Sequence, residues 1–278
     1  MNDPLTFQVV AGDYGLSGNQ PANYTLVLGE SEALLVDVPF ARSDAHRLIA
    51  MILDSGRELR TVFITHDHPD HFFSLDLLSD TFPEAAVVAH PVVVADMGRS
   101  IPLKFERWAE GMGANAPQRG VVPTPWVKDE IEVEGRTLKI LGPMQGDHVH
   151  ATALWDPGSR TLVAGDLLFN GVFLFLGEHR PPQYDDWLKS LDDLESLQPV
   201  RIIAGHSKPG LPDDSRAIDW SRRYLNEFKR AAKAATSSRE MADMLRAAFP
   251  DAVGFPGTEF LLDVSTQVAT GEMEPWDE

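Results

Sequence analysis

Residues 66–71, His-Asp-His-Pro-Asp-His, place three of the chain's nine histidines in six positions, interleaved with two aspartates. The cluster follows the apolar run "TVFIT" and precedes a stretch with helical spacing. Imidazole and carboxylate donors at this density suit a divalent cation, zinc first, with iron or manganese also acceptable. His66 and His68 are two apart and point the same way in extended backbone. Pro69 fixes its own φ and pushes His68 towards extended geometry, which stiffens the loop. Asp70 and His71 fall at the helix start, where they can face a second point close to the first. A polar helix cap with incidental histidines is the competing reading, and the interleaved pattern argues against it.

One cluster does not complete a metal site, and three later stretches offer further ligands. "GDHVH" (146–150) follows a strand and contributes Asp147, His148 and His150; "VAGD" (163–166) ends a strand with Asp166; "IIAGH" (202–206) ends another with His206. Strand C-termini are where α/β proteins place their sites. A lone "GD" or "GH" is a weak signal, but the ordered set is a strong one.

The elements that must position these residues can be read from periodicity and turn residues. Strands are expected at 7–10, 24–29, 33–38, 60–65, 85–90, 129–133, 137–141, 151–155, 161–165 and 200–205. Helices are expected at 42–55, 71–80, 184–197 and 213–235, the last with Trp220, Tyr224 and Phe228 on one face, and helical structure continues to 248. Segment 91–126 starts helical, carries Trp108 and then becomes rich in Gly and Pro, as a lid over a site or a long connection would. Residues 271–278, "GEMEPWDE", are expected to form a poorly ordered acidic tail. With no repeat and no linker, residues 1–278 are expected to form one domain.

Composition removes several classes of function. Lys and Arg number 24 against 42 Asp and Glu, a net charge of −18, so the surface should repel nucleic acid. The absence of cysteine excludes disulfides, thiolate ligands and a cysteine nucleophile. No signal peptide and no span of membrane-crossing length is visible, so the expectation is a cytoplasmic protein acting on a small molecule, its oligomeric state open. Seven basic residues between 216 and 239 face only Asp219 and Glu227. A solvated helix face is the simpler reading, an anion site the sharper one. His46 and His90 are expected to be structural. His179, Phe173, Phe175, Trp108 and Trp126 could line a pocket or fill core.

The "THDHPDH" motif, with the downstream "GD" and "GH" elements in order, resembles the metallo-β-lactamase fold superfamily, from about "NYTLVLGESEALLVDV" through "GHSKPG". The resemblance implies a four-layer αββα sandwich with the site along one edge. It implies that His66, His68 and a third histidine hold one metal, that Asp70, His71 and His206 hold a second, and that Asp166 bridges them. The family's "GHT" element corresponds here to "GDHVH". An ungapped count back from Asp166 lands on Asp147, and a one-residue deletion lands on His148; His148 is preferred for its imidazole, with His150 the runner-up. The bridging Asp166 resembles the general hydrolases rather than true β-lactamases. The implied activity is a dinuclear hydrolase, with two Zn²⁺ or with iron or manganese. A metal-bound hydroxide would attack an ester, lactone or thioester, with Asp70 as proton acceptor. A mononuclear iron thiol dioxygenase on the same fold is the alternative.

Overall fold

The computed structural model describes residues 4–11, 22–254 and 257–276. Two sheets are packed face to face. The first has the order β1 (Thr6–Ala11), β2 (Asn23–Leu28), β3 (Glu32–Val36), β4 (Glu58–Ile64), β5 (Ala86–Ala89) and β6 (Thr124–Pro125). Its connections carry α1 (Arg42–Asp54), α2 (Leu75–Thr81) and α3 (Pro91–Met112). The second sheet is built from β7 (Glu130–Val133), β8 (Arg136–Met144), β9 (Ala151–Asp156), β10 (Thr161–Val163) and β12 (Arg201–Ile203), in the spatial order β12-β10-β9-β8-β7. β11 (Phe169–Asn170) and β13 (His206–Ser207) form a separate parallel pair. Helices α4 (Pro181–Ser196), α5 (Arg216–Ala234), α6 (Ser238–Ala248) and α7 (Thr258–Ala269) follow the second sheet.

Strand periodicity explains the layers. Along β3, Ala33 and Leu35 turn towards the α1–α3 side, whereas Leu34 and Val36 turn inward. Along β10, Leu162 faces α4 and α5 while Val163 turns inward. The inward residues of both sheets, among them Phe63, Val88, Leu138 and Leu154, make one core between the sheets. Because neither sheet has a solvated face, central strands read as nearly continuous apolar runs. The result is the expected four-layer αββα sandwich.

As its composition implies, segment 91–126 is helical through Met112 and leaves the helix at Gly113, and its partly buried Trp108 packs against the core between the first sheet and α1–α3. Two stretches differ from the sequence reading. Residues 258–269, unassigned from sequence, form α7. The chain up to Trp276 is docked, not loose: Trp276 donates its backbone N–H to Gly177 O at 2.9 Å. Residues 277 and 278 of the expected tail lie outside the described residues. The basic residues of α5 are largely consumed by acids, in keeping with the simpler reading. Arg222 pairs with Asp192 and Glu195 of α4 at 2.7 and 2.9 Å, Lys229 pairs with Asp185, and Arg230 with Glu227.

Candidate metal centre

Four chain segments meet at one edge of the sandwich. The turn after β4 brings Thr65 through His71, the β8–β9 connection brings Asp147, the turn after β10 brings Asp166, and β13 brings His206. These segments approach so closely that two glycines are required. A Cβ on Gly205 would lie 1.8 Å from Asp166 Oδ1 and 2.6 Å from Gly165 C. Gly165 has φ +51°, and its Cβ would lie 2.8 Å from Thr65 Oγ1. The first sheet tethers the second: Asn23 donates its backbone N–H to Gly205 O at 2.6 Å and its Nδ2 to Ala204 O at 2.9 Å.

Two groups of ligand atoms result. His66, His68, Asp147 and Asp166 lie within 4.8 Å of one another, as do Asp70, His71 and His206. Asp166 joins them, with Oδ1 3.1 Å from His71 Nε2 and Oδ2 3.0 Å from His206 Nε2. Thus six of the seven residues expected to bind metal are brought together. The seventh is not. His148 joins Asp96 and His150 in a separate group, while the ungapped alternative, Asp147, stands with His66 and His68. Asp147 N–H donates to Asp166 O at 3.2 Å, which draws that residue inward, while His148 Nδ1 accepts from the N–H of His150 at 3.1 Å. The His150 Nδ1, for its part, lies 2.7 Å from Asp96 Oδ2.

Each histidine of the motif has one nitrogen fixed by a residue outside the two ligand groups. Thr65 Oγ1 lies 2.9 Å from His66 Nδ1, Asp37 Oδ2 lies 2.8 Å from His71 Nδ1, and Glu178 Oε1 lies 3.0 Å from His68 Nε2. The opposite nitrogens, His66 Nε2, His68 Nδ1 and His71 Nε2, are thereby turned towards the carboxylates. Such outer partners set the ligating tautomer in metal sites. Asp37, at φ +63°, also accepts from Thr65 N and Oγ1, both at 2.8 Å, so one carboxylate aligns the whole turn.

The donor chemistry fits divalent ions. His66 Nε2, His71 Nε2, Asp147 Oδ1 and Asp166 Oδ1 are buried without a hydrogen-bond partner. Orphaned buried polar atoms are costly, and divalent ions held by the two groups would satisfy all four. Burial opposes charge on Asp166, yet His206 and His71 hold its carboxyl well below the usual range. Asp147 moves the other way: burial and the neighbouring Asp166 charge push it well above. A cation between the two carboxylates would relieve that repulsion.

A small cavity of about 60 Å³, open to solvent on one side, reaches the ligands. Asp70 and Glu178 face it, together with Trp108, Phe169, Phe175, Phe260 and Trp276. Of the residues left between pocket and core, Phe175 and Trp108 line the cavity and Phe173 is core. Trp126 donates Nε1–H to Glu130 O, away from the site. His179 is buried and does not line the cavity; its Nε2 lies 2.7 Å from Gly146 O, behind Asp147. His90 accepts from Val92 N and caps α3, and His46 is exposed. Sequence reasoning missed Asp37, Thr65 and Glu178 as site residues. Asp37 had a weak signal, an acid ending the apolar strand "LLVD"; Glu178 had none, since it meets His68 across 110 residues.

The family model of the metallo-beta-lactamase superfamily matches residues 17–206. The uncharacterized protein YobT of Bacillus subtilis (strain 168) is 38% identical over 202 residues, covering 68% of this chain and 84% of that one. Among solved structures, a metallo-beta-lactamase family protein from Thermus thermophilus superposes with a TM-score of 0.65 at 23% identity, over 96% of this chain and 94% of that one. A metallo-beta-lactamase from Pontibacter korlensis gives 0.61 at 15% identity, over 81% and 96%. These structural likenesses concern the fold. No helix among the described residues is long and apolar enough to cross a membrane.

Proposed function

The chain belongs to the metallo-beta-lactamase superfamily, and from that premise we propose that it is a dinuclear metal-dependent hydrolase of an ester, lactone or thioester. His66, His68 and Asp147 would hold one ion, Asp70, His71 and His206 the other, with Asp166 between them. The observation that carries this reading is the convergence of two ligand groups on Asp166, with four buried donor atoms left unpartnered. Divalent ions held there would supply Lewis acidity and a water whose pKa falls from 15.7 to about 7. Two zinc ions suit the imidazoles. The carboxylate of Asp147, where the family places an imidazole, shifts the preference towards harder iron or manganese.

Hydrolysis adds the oxygen of water to the acyl carbon, breaks the acyl–oxygen or acyl–sulfur bond and returns a proton to the leaving atom. Asp70 is placed to move that proton. It lines the cavity, is partly exposed, and its Oδ2 lies 3.4 Å from His206 Nε2. Tyr24 donates its hydroxyl to Asp70 O at 3.2 Å, fixing the backbone there. Phe169 stacks on His206 with centroids 5.1 Å apart, holding the imidazole against rotation.

One observation favours a second reading. Two histidines and one carboxylate, His66, His68 and Asp147, form the donor set used by non-haem iron oxygenases. A mononuclear iron thiol dioxygenase would need only that set. The assembled second group of Asp70, His71 and His206 makes the hydrolase the better supported reading. Metal content, ester turnover and dissolved oxygen, followed together in wild type and Asp70→Asn, separate the two. The hydrolase should bind two ions, consume no oxygen and lose on the order of 10²-fold in kcat on substitution. Iron-dependent oxygen uptake with a thiol, indifferent to Asp70→Asn, would replace it with the dioxygenase.

A further inference from the structure

The cavity over the ligands has a one-sided chemistry. Its outer wall is aromatic: Phe175 packs edge-on against His68 with centroids 5.6 Å apart, Trp276 lies 5.6 Å from Phe175, and Phe260 lies 5.7 Å from Trp276. Trp108 of α3 closes the circuit, 6.3 Å from both Phe260 and Trp276. No lysine or arginine lines the cavity among the described residues. The exposed Arg107 lies over the Trp276 ring, 4.2 Å from its centroid, without lining the cavity, and the buried Lys104 is paired with Asp67 at 3.2 Å. The charged side chains that do face the cavity, histidines aside, are carboxylates: Asp70, Asp147, Asp166 and Glu178.

We propose that this cavity selects substrates with a neutral apolar or aromatic acyl group and disfavours anionic ones, an inference that rests on the hydrolase reading above. Two divalent ions would be balanced in charge by the four carboxylates, leaving no positive surplus to hold a substrate anion. A carboxylate-bearing acyl chain would meet Glu178 across a cavity of low polarity, where unpaired charge is costly. An aryl ring would instead replace water against Trp108, Phe260 and Trp276. The segment that supplies Trp276 is tied in place by its N–H to Gly177 O and by Arg107 over the ring, so the wall is part of the fold.

The test compares 4-nitrophenyl phenylacetate with the 4-nitrophenyl monoester of glutarate, which share a leaving group, on the metal-loaded full chain. The neutral ester should be favoured at least about tenfold in kcat/KM. Trp276→Ala should raise KM for the phenylacetyl ester more than for the acetyl ester, and Phe260→Lys should move the preference towards the glutarate monoester. Tryptophan fluorescence gives a second readout, because Trp108 and Trp276 line the cavity. Phenylacetamide should quench it at lower concentration than glutaramate. Equal or better turnover of the anionic ester, or tighter binding of glutaramate, overturns the inference. If no ester is hydrolysed, the hydrolase reading falls, and fluorescence binding alone decides the cavity's preference.

Discussion

The imidazole of His68 is held between two carboxylates, with Nδ1 2.8 Å from Asp147 and Nε2 3.0 Å from Glu178. The first contact lies among the metal-ligand candidates and the second on the wall of the cavity. Burial alone would raise the Glu178 carboxyl, but the adjoining His68 brings it down to about 2. Glu178 is therefore an anion that orients His68 and raises its basicity towards a metal. Glu178→Ala should weaken metal affinity about 10- to 100-fold, with Glu178→Gln recovering part of the loss through its amide oxygen. Competition with a chromogenic chelator measures this, and unchanged affinity in both variants would remove Glu178 from the site.

Asp147 and His148 make opposite predictions. Asp147 stands among His66, His68 and Asp166, whereas His148 faces Asp96 and His150. Asp147→Ala should bind one ion instead of two, and His148→Ala should keep both. Metal analysis of the two purified variants decides between them. The reverse outcome would restore the histidine that the imidazole argument favours.

Much of the site was legible because strand ends announce it. The histidine-rich turn, Asp166 and His206 each follow an apolar run, and the sheets carry all three to one edge. Asp147 was legible in the ungapped spacing to Asp166, and the preference for imidazole set it aside; its N–H reaching Asp166 O, in a later turn of the chain, was not legible. Glu178 and the aromatic wall share that obstacle: Trp276 sits in an acidic stretch and reaches the cavity through contacts distant in sequence, Gly177 and Phe175 among them. The α7 helix escaped because its apolar residues, Leu262, Val264 and Val268, follow Gly257 without an N-cap side chain to mark its start.

Gly205 is the tightest point of the centre. A methyl group there cannot coexist with Asp166 Oδ1 at 1.8 Å or with the Gly165 carbonyl at 2.7 Å. Gly205→Ala should displace the Asp166 turn, lower stability by about 3 kcal/mol, the upper part of the overpacking range, and abolish metal binding. Gly98, inside α3 with nothing near its missing Cβ, is the control. There, substitution by alanine should stabilise by about 1 kcal/mol. Denaturant unfolding and metal content of both variants check the pair of outcomes.

Glu134 offers a pH test outside the candidate metal centre. Its Oε1 accepts the Ser31 hydroxyl at 2.5 Å and the N–H groups of Ser31 and Glu32, and its Oε2 accepts the N–H of Glu30 at 2.6 Å. One carboxylate thus clasps the β2–β3 turn to the β7–β8 hairpin. The Ser31 hydroxyl first, then the backbone N–H groups, bring its pKa from 4.5 down to about 2. A pKa depressed by folding means that the ionised form is favoured in the native state, so the clasp contributes fully above pH 4.5 and fades as pH falls through about 2. Glu134→Gln should lower Tm by a few degrees at about pH 7, a small effect because the contact is solvent-screened. The difference should shrink steadily below pH 4.5 and close near pH 2. Thermal melts of both proteins across that range measure it. A gap that is constant with pH would mean that Glu134 acts through the shape of its side chain and not through its charge.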